Sequence, residues 1–187
     1  VLDRASLLGS GALVEAAART SAPTLRARGT VGGNLMTPHP CGDIATALLA
    51  LDASVEVASD SGAVTDVSVE SLMSGAVVVS ESPALLLSVT IRNDGLSAFE
   101  SHGQRRAFCR SLCAVAVALH DGKHRVALGG LHSRPRLAPH VASALDRGED
   151  PSGVLTLDVP DFPDARVAPA LLRSLILRAH QRTKVRA

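Results

Sequence analysis

An α+β fold is predicted for this chain of 187 residues by three observations. Residues 54–58 alternate apolar and polar side chains with 63–67 as a partner, and further strand-like runs occur at 85–92, 113–119 and 125–131. Asp60-Ser61-Gly62 and Asp121-Gly122 separate neighbouring runs by tight turns, which joins them as antiparallel hairpins. Stretches rich in Ala and Leu stand before, between and after these runs, long enough for helices to cover the sheets.

Taken in order, residues 8–20 read as an alanine-rich helix of high intrinsic propensity, stopped by Pro23. A glycine-rich loop, 28–43, follows. Residues 44–51 then read as a helix buried on most sides, with Asp43 as its N-cap. After the first hairpin, 71–75 forms a short helix or turn and 85–92 a further strand. Asn93-Asp94-Gly95 places turn chemistry between two strand-like runs and marks the boundary between an N-terminal unit, 1–94, and a C-terminal unit, 95–187. The second unit opens at Ala98-Phe99-Glu100, contains the hairpin around Asp121-Gly122, and continues with a short helix at 139–146. Residues 166–181 read as the closing helix, with Leu171, Leu172, Leu175, Ile176 and Ala179 on one side. The Arg-rich tail, 178–186, reads as a solvated helix end, where positive charge is locally favourable.

Composition removes several function classes. A net charge of +1, with no basic run longer than two before the tail, argues against nucleic-acid binding. No apolar stretch reaches the roughly 18 residues of a membrane span, and no signal-peptide pattern opens the chain. Three cysteines, Cys41, Cys109 and Cys113, leave at least one unpaired, which suits a reducing compartment and makes the cytoplasm the expectation. The chain begins at Val1 rather than Met, as a fragment or processed product would. With no Trp, no Tyr and three Phe, a planar cofactor has to be held by backbone, aliphatic side chains or another subunit.

The segment Arg28-Gly29-Thr30-Val31-Gly32-Gly33-Asn34-Leu35-Met36-Thr37-Pro38-His39-Pro40-Cys41-Gly42-Asp43 is where binding chemistry concentrates. Gly32 and Gly33 carry no Cβ and can take positive φ, so the backbone can turn sharply and let a phosphorylated or planar ligand approach main-chain N–H groups. Asn34 both donates and accepts. The Asp43 carboxylate can cap the next helix or accept from ligand hydroxyls. A tight turn before a capped helix is the alternative account of the same residues.

Metal chemistry finds less support. The seven histidines are His39, His102, His120, His124, His132, His140 and His180, and no pair lies at helical ligand spacing beside a carboxylate. Cys109 and Cys113 are four apart and read as small buried hydrophobes.

The order of these features resembles one family. Pro23-Thr24-Leu25-Arg26-Ala27-Arg28-Gly29-Thr30-Val31-Gly32-Gly33-Asn34, followed by Pro40 and Asp43 and a buried helix, resembles the second flavin-binding motif of the FAD (medium) subunit of molybdenum hydroxylases, the xanthine dehydrogenase and carbon monoxide dehydrogenase medium-chain proteins. Gly103-Gln104-Arg105-Arg106-Ala107-Phe108-Cys109-Arg110-Ser111-Leu112, leading into a hairpin that ends in Gly129-Gly130 and then Pro135, is similar to the start of that family's C-terminal domain. The resemblance implies a mixed or antiparallel FAD-binding subdomain over 1–94, the second half of the flavin domain. It also implies a C-terminal domain over 95–187 with a three-stranded antiparallel sheet and helices.

It further implies an FAD-dependent oxidoreductase subunit that relays electrons. They would arrive from an iron-sulfur small subunit, itself fed by a molybdopterin large subunit, and pass through FAD to NAD or another acceptor. By the same resemblance, Thr30, Val31, Gly32, Gly33, Asn34 and Thr37 contact the FAD phosphates and ribityl chain, and Asp43 binds cofactor hydroxyls. No side chain is implied as acid, base or metal ligand, since the flavin carries the chemistry.

The family usually begins with an N-terminal subdomain bearing another glycine-rich loop, and these 187 residues start after that place. Either the residues of that subdomain precede Val1, or half of the site comes from elsewhere, or the site is lost and the chain is a degenerate, non-flavin assembly module of the same fold. Glu100 and Ser101 stand where relatives often carry basic residues, and a carboxylate near the flavin would disfavour its reduced, anionic form.

Overall fold

The computed structural model describes residues 11–37, 39–76, 84–91, 96–104, 110–161 and 166–185. Helix α1 (Gly11–Arg19) leads to a single turn, α2 (Pro23–Arg26), and a six-residue helix, α3 (Val31–Met36). Helix α4 (Asp43–Ala50) precedes the strands β1 (Ser54–Ala58) and β2 (Val64–Ser68), and then α5 (Val69–Ser74) and β3 (Leu85–Thr90). The second half contains β4 (Leu96–Gly103), β5 (Ser111–His120), β6 (Lys123–Gly129) and the two-residue β7 (Arg136–Leu137). It closes with α6 (Pro139–Asp146), a 3₁₀ turn (Pro151–Val154), α7 (Leu155–Asp158) and α8 (Pro169–Val185).

The strands form two sheets, β2-β1-β3 and β4-β5-β6-β7, and every pairing in them is antiparallel. The α+β expectation holds. The second sheet carries one strand more than the three expected, because β7 adds two ladder pairs beside β6 at Ala127 and Leu128. The Asp121-Gly122 turn has both residues at positive φ, 49° and 76°, the twist that a two-residue hairpin requires.

Strand β5 explains how the layers stack. Its Cys113, Val115 and Val117 face α6 and α8, while Ala114, Ala116 and Ala118 face α1 and α4. Small residues on that second face let α4 lie close on the sheet, and all eight residues of α4 are buried. Phe99 of β4, fully buried, belongs to the same core as α4 and the β1 valines. That core draws on residues from both halves of the chain.

Several sequence expectations are corrected. The 28–43 stretch contains helix α3 rather than continuous loop, and Gly32 and Gly33 sit inside it without positive φ. Helix α4 begins at Asp43, with Gly42 in the cap position, so Asp43 is a first-turn residue and not the N-cap. The closing helix runs Pro169–Val185, with Pro169 as its first residue fixing the first turn. Within the Arg-rich end, Arg182 turns inward onto carboxylates instead of into solvent. The start of the 8–20 helix, the Asn93-Asp94-Gly95 boundary and 105–109, including Cys109, lie outside the described residues.

Among the described residues, no helix is long and apolar enough to cross a membrane and no group of three metal-ligating side chains could hold an ion.

Candidate functional site

Thr30 creates the local structure of the glycine-rich segment. Its extended backbone precedes α3, and its Oγ1 accepts from the Gly33 N–H at 2.9 Å, an N-cap worth about 1 kcal/mol. A Cβ at position 33 would stand 3.1 Å from Thr30 Oγ1, a tight contact that would push on the capping hydroxyl. At the other end of α3, the Thr37 hydroxyl donates to Gly33 O at 2.7 Å. A chain of Thr-Gly-Thr contacts therefore closes a helix whose two glycines give it little propensity of its own.

A cleft of about 790 Å³ lies along this segment, lined by Ala17, Thr20, Pro23, Leu25, Arg28 and Thr30 among others. It shares Thr20, Ser21, Gly33 and Asn34 with a smaller lobe of about 210 Å³, whose further lining is Thr37, His39, Cys41, Gly42, Asp43 and Arg110. Five of the seven residues singled out from the sequence, Thr30, Gly33, Asn34, Thr37 and Asp43, thus line one continuous groove. Val31 and Gly32 line neither part. Val31 packs on the core, and Gly32 faces β3, where a Cβ would meet Leu86 Cβ at 3.5 Å.

Two residues that line the lobe each carry a buried acceptor without a partner. Neither Asn34 Oδ1 nor Asp43 Oδ1 has a hydrogen-bond partner, although both atoms are shielded from solvent. Buried polar atoms of this kind cost about 1–3 kcal/mol each unless something satisfies them. Asp43 is 5% exposed. Burial pushes its carboxyl up to about 6, against the opposing pull of a Ser111 hydrogen bond and the Arg19 charge.

The rim of the lobe is richer in donors. Arg110 Nη1 stands 2.8 Å from His39 Nε2, and His39 Nδ1 accepts from the Cys41 N–H at 3.0 Å. Burial and the Arg110 charge both lower the His39 pKa, which keeps the ring neutral at pH 7. Burial raises Cys41, with Asp43 adding to the effect, and pushes Cys113 up to about 11, so neither thiol is a thiolate near neutrality. His39, Cys41 and Arg110 were not singled out for this site from the sequence. The signal available was their place in the two glycine- and Arg-bearing motifs.

An antiparallel α+β chain with a long groove, Thr and Gly side by side on a short helix, and two open buried acceptors has the makings of a cofactor-binding domain. Residues 3–92 match the FAD binding domain in molybdopterin dehydrogenase, so this segment is similar to that family. FAD is the family's cofactor. Similar solved structures include reconstituted CO dehydrogenase from Oligotropha carboxidovorans, with a TM-score of 0.81 at 19% identity over 100% of this chain and 72% of that one. Quinoline 2-oxidoreductase from Pseudomonas putida 86 matches with a TM-score of 0.72 at 22% identity, over 90% of this chain and 66% of that one. Carbon monoxide dehydrogenase from Hydrogenophaga pseudoflava matches with a TM-score of 0.76 at 17% identity, over 93% and 67%. At such identities the likeness establishes the fold. A search of curated proteins finds no match to the sequence.

The residues present fit FAD on chemical grounds. A polyol chain offers hydroxyl donors to orphan acceptors, and Asn34 Oδ1 and Asp43 Oδ1 are such acceptors on one lobe. Pro23, Leu25 and Ile44 give the larger cleft an aliphatic side suited to a flat ring, in keeping with the absence of Trp and Tyr.

Proposed function

We propose that this chain is the FAD-carrying electron-transfer subunit of a molybdenum hydroxylase-type dehydrogenase. Residues 1–94 act as the second half of the flavin domain and 95–187 as its C-terminal domain. Thr30, Val31, Gly32, Gly33, Asn34 and Thr37 hold the phosphate and ribityl portions of the cofactor, Val31 and Gly32 by shaping the first turn of α3 rather than by facing the groove. Asp43 accepts from cofactor hydroxyls. The partners are an iron-sulfur subunit that delivers electrons and a molybdopterin subunit that acts on substrate, with NAD or another diffusible acceptor at the end, in the cytoplasm.

When bound, FAD supplies the redox chemistry by accepting and releasing electrons. The protein's share is binding and exclusion of water. Thr30 and Thr37 fix α3, Asn34 and Asp43 would supply acceptors for cofactor hydroxyls, and Arg110 adds a positive charge at the rim of the lobe. No side chain in the groove is needed as an acid or base.

The observation that carries this reading is the pair of unpartnered buried acceptors, Asn34 Oδ1 and Asp43 Oδ1, on the lobe that the family motif lines. FAD titration followed by flavin fluorescence tests it. Saturable quenching that Asp43→Ala abolishes is the expected result, and unquenched FAD in the presence of the native partners would overturn it.

A further inference from the structure

Outside the groove, the end of β6 makes two contacts that only glycine permits. Gly130 has φ of +83°, and a Cβ on it would stand 2.1 Å from Leu112 O. Its N–H donates to Pro40 O at 2.6 Å, across 90 residues of sequence. Gly129 lies against α4, where a Cβ would come within 2.4 Å of Thr46 Oγ1 and 3.6 Å of Pro40 O. That same Thr46 hydroxyl, fully buried, donates to Gly42 O at 2.9 Å, and the Thr46 N–H donates to Gly42 O at 2.8 Å. Pro135, further along, approaches Gly42 as well, where an added Cβ would lie 3.7 Å from Pro135 Cγ.

These contacts converge on 40–46, the short stretch that presents Cys41 and Asp43 to the small lobe. The core here is packed without slack, so one methyl group at 129 has to displace either Thr46 or the sheet.

We propose that Gly129 and Gly130 are positioning residues for the cofactor segment. The C-terminal sheet acts as a template on which 40–46 is laid, Gly130 by gripping the Pro40 carbonyl and Gly129 by leaving room for the Thr46 hydroxyl that closes the first turn of α4. What the segment is positioned for rests on the FAD reading above; the positioning itself does not. The Gly129-Gly130 and Pro135 pattern of the C-terminal half thereby acquires a role in a site that lies in the N-terminal half.

The test uses the full-length protein, with Gly129→Ala, Thr46→Ala, the double variant, and Leu145→Ala in the opposite core as a control. Two quantities are read well below the melting temperature: FAD affinity by fluorescence quenching, and the rate of Cys41 alkylation by iodoacetamide, resolved by peptide mass spectrometry. Gly129→Ala is expected to weaken FAD at least tenfold and to change the Cys41 rate at least fivefold. The double variant, which lacks the obstructing hydroxyl, is expected to recover to within twofold of Thr46→Ala in both, since Thr46→Ala by itself reports what losing the buried hydroxyl costs. Leu145→Ala is expected to lower the melting temperature without moving either. Unchanged FAD affinity and Cys41 rate in Gly129→Ala, or a folded double variant as impaired as the single one, would overturn the proposal. Should Gly129→Ala alone not fold, the double variant decides, since only a native-like double variant is compatible with the hydroxyl clash. If wild type binds no FAD, the FAD reading fails while the Cys41 rates still judge the positioning.

Discussion

Arg182 Nη1 of α8 donates to Glu100 Oε1 of β4 at 2.7 Å, and the same guanidinium also pairs with Glu15 of α1. Both carboxylates are mostly enclosed, at 12% and 16% side-chain exposure. Glu15 uses its second oxygen to accept the Phe99 N–H at 2.9 Å, and Arg19 stands 3.7 Å from Glu100. The closing helix is thus tied to the first helix and to the edge of the second sheet through one cation. Glu100, expected from the sequence to present a bare negative charge near the cofactor, is instead held between two arginines.

Removing that cation leaves two shielded carboxylates facing each other. Arg182→Ala is expected to lower the unfolding free energy by about 2–4 kcal/mol in urea denaturation, more than an exposed ion pair is worth. Arg182→Lys recovers less than half, because one ammonium cannot bridge both acids with the fork geometry of arginine. A loss under about 0.5 kcal/mol would mean that the cluster is solvated.

Asp43 places stability and binding in opposition. Its carboxyl titrates near 6 in the fold against an ordinary 3.8, so the folded state holds its proton more tightly than the unfolded chain. The stabilisation is present below pH 3.8 and is lost as pH rises through about 6, a difference of about 3 kcal/mol. Asp43→Asn is expected to raise the melting temperature of the cofactor-free protein at pH 7. Hydroxyl donors prefer the ionised carboxylate, so FAD affinity is expected to strengthen from pH 5 through about 6 and to level off near pH 7. In Asp43→Asn that pH dependence disappears and binding is weaker. Affinity that is flat with pH in wild type contradicts the role given to Asp43.

Thr30 can be separated from Asp43. Thr30→Ala deletes the cap on Gly33 and costs about 1 kcal/mol of stability, read as a lowered melting temperature. Thr30→Ser keeps the hydroxyl and is expected to melt within a degree or two of wild type. Equal losses in both variants would show that the methyl group, and not the cap, matters.

A pair of histidines outside the groove lining adds a second pH dependence. His180 and His124 meet edge to face with ring centroids 4.7 Å apart, and His124 Nδ1 is 2.7 Å from Asp146 Oδ1. Burial, followed by the charges of His124 and Lys184, lowers His180 to about 4, and its Nδ1 is buried without a partner. The unfolded chain therefore takes up the proton first, and stability falls as pH drops from about 6.5 toward 4. His180→Leu is expected to reduce that acid-side loss in melting experiments between pH 7 and 4.5 while leaving FAD affinity unchanged. An unaltered acid limb would assign the loss to other groups.

The sequence made the strands legible because their period of two and their turn residues are local: β1, the Asp121-Gly122 hairpin and α6 fall where they were expected. Helix α3 was not legible, since two adjacent glycines lower helix propensity and the compensating Thr30 and Thr37 contacts are side-chain events. The groove residues Thr30, Gly33, Asn34, Thr37 and Asp43 could be named because one motif carries them. Arg110 and His39 meet only through pairing across 71 residues, and Gly130 meets Pro40 across 90, so no local pattern announces either contact. The inward turn of Arg182 depends in the same way on Glu15 and Glu100 from distant elements.

The central claim, that this chain holds FAD on the Asn34 and Asp43 side of the groove, is tested most directly by the visible spectrum of the full-length protein isolated with its native partners and passed through a desalting column with excess FAD. The account predicts stoichiometric flavin absorbance for wild type and its loss in Asp43→Ala. A colourless wild-type complex, or flavin retained equally by Asp43→Ala, would contradict it.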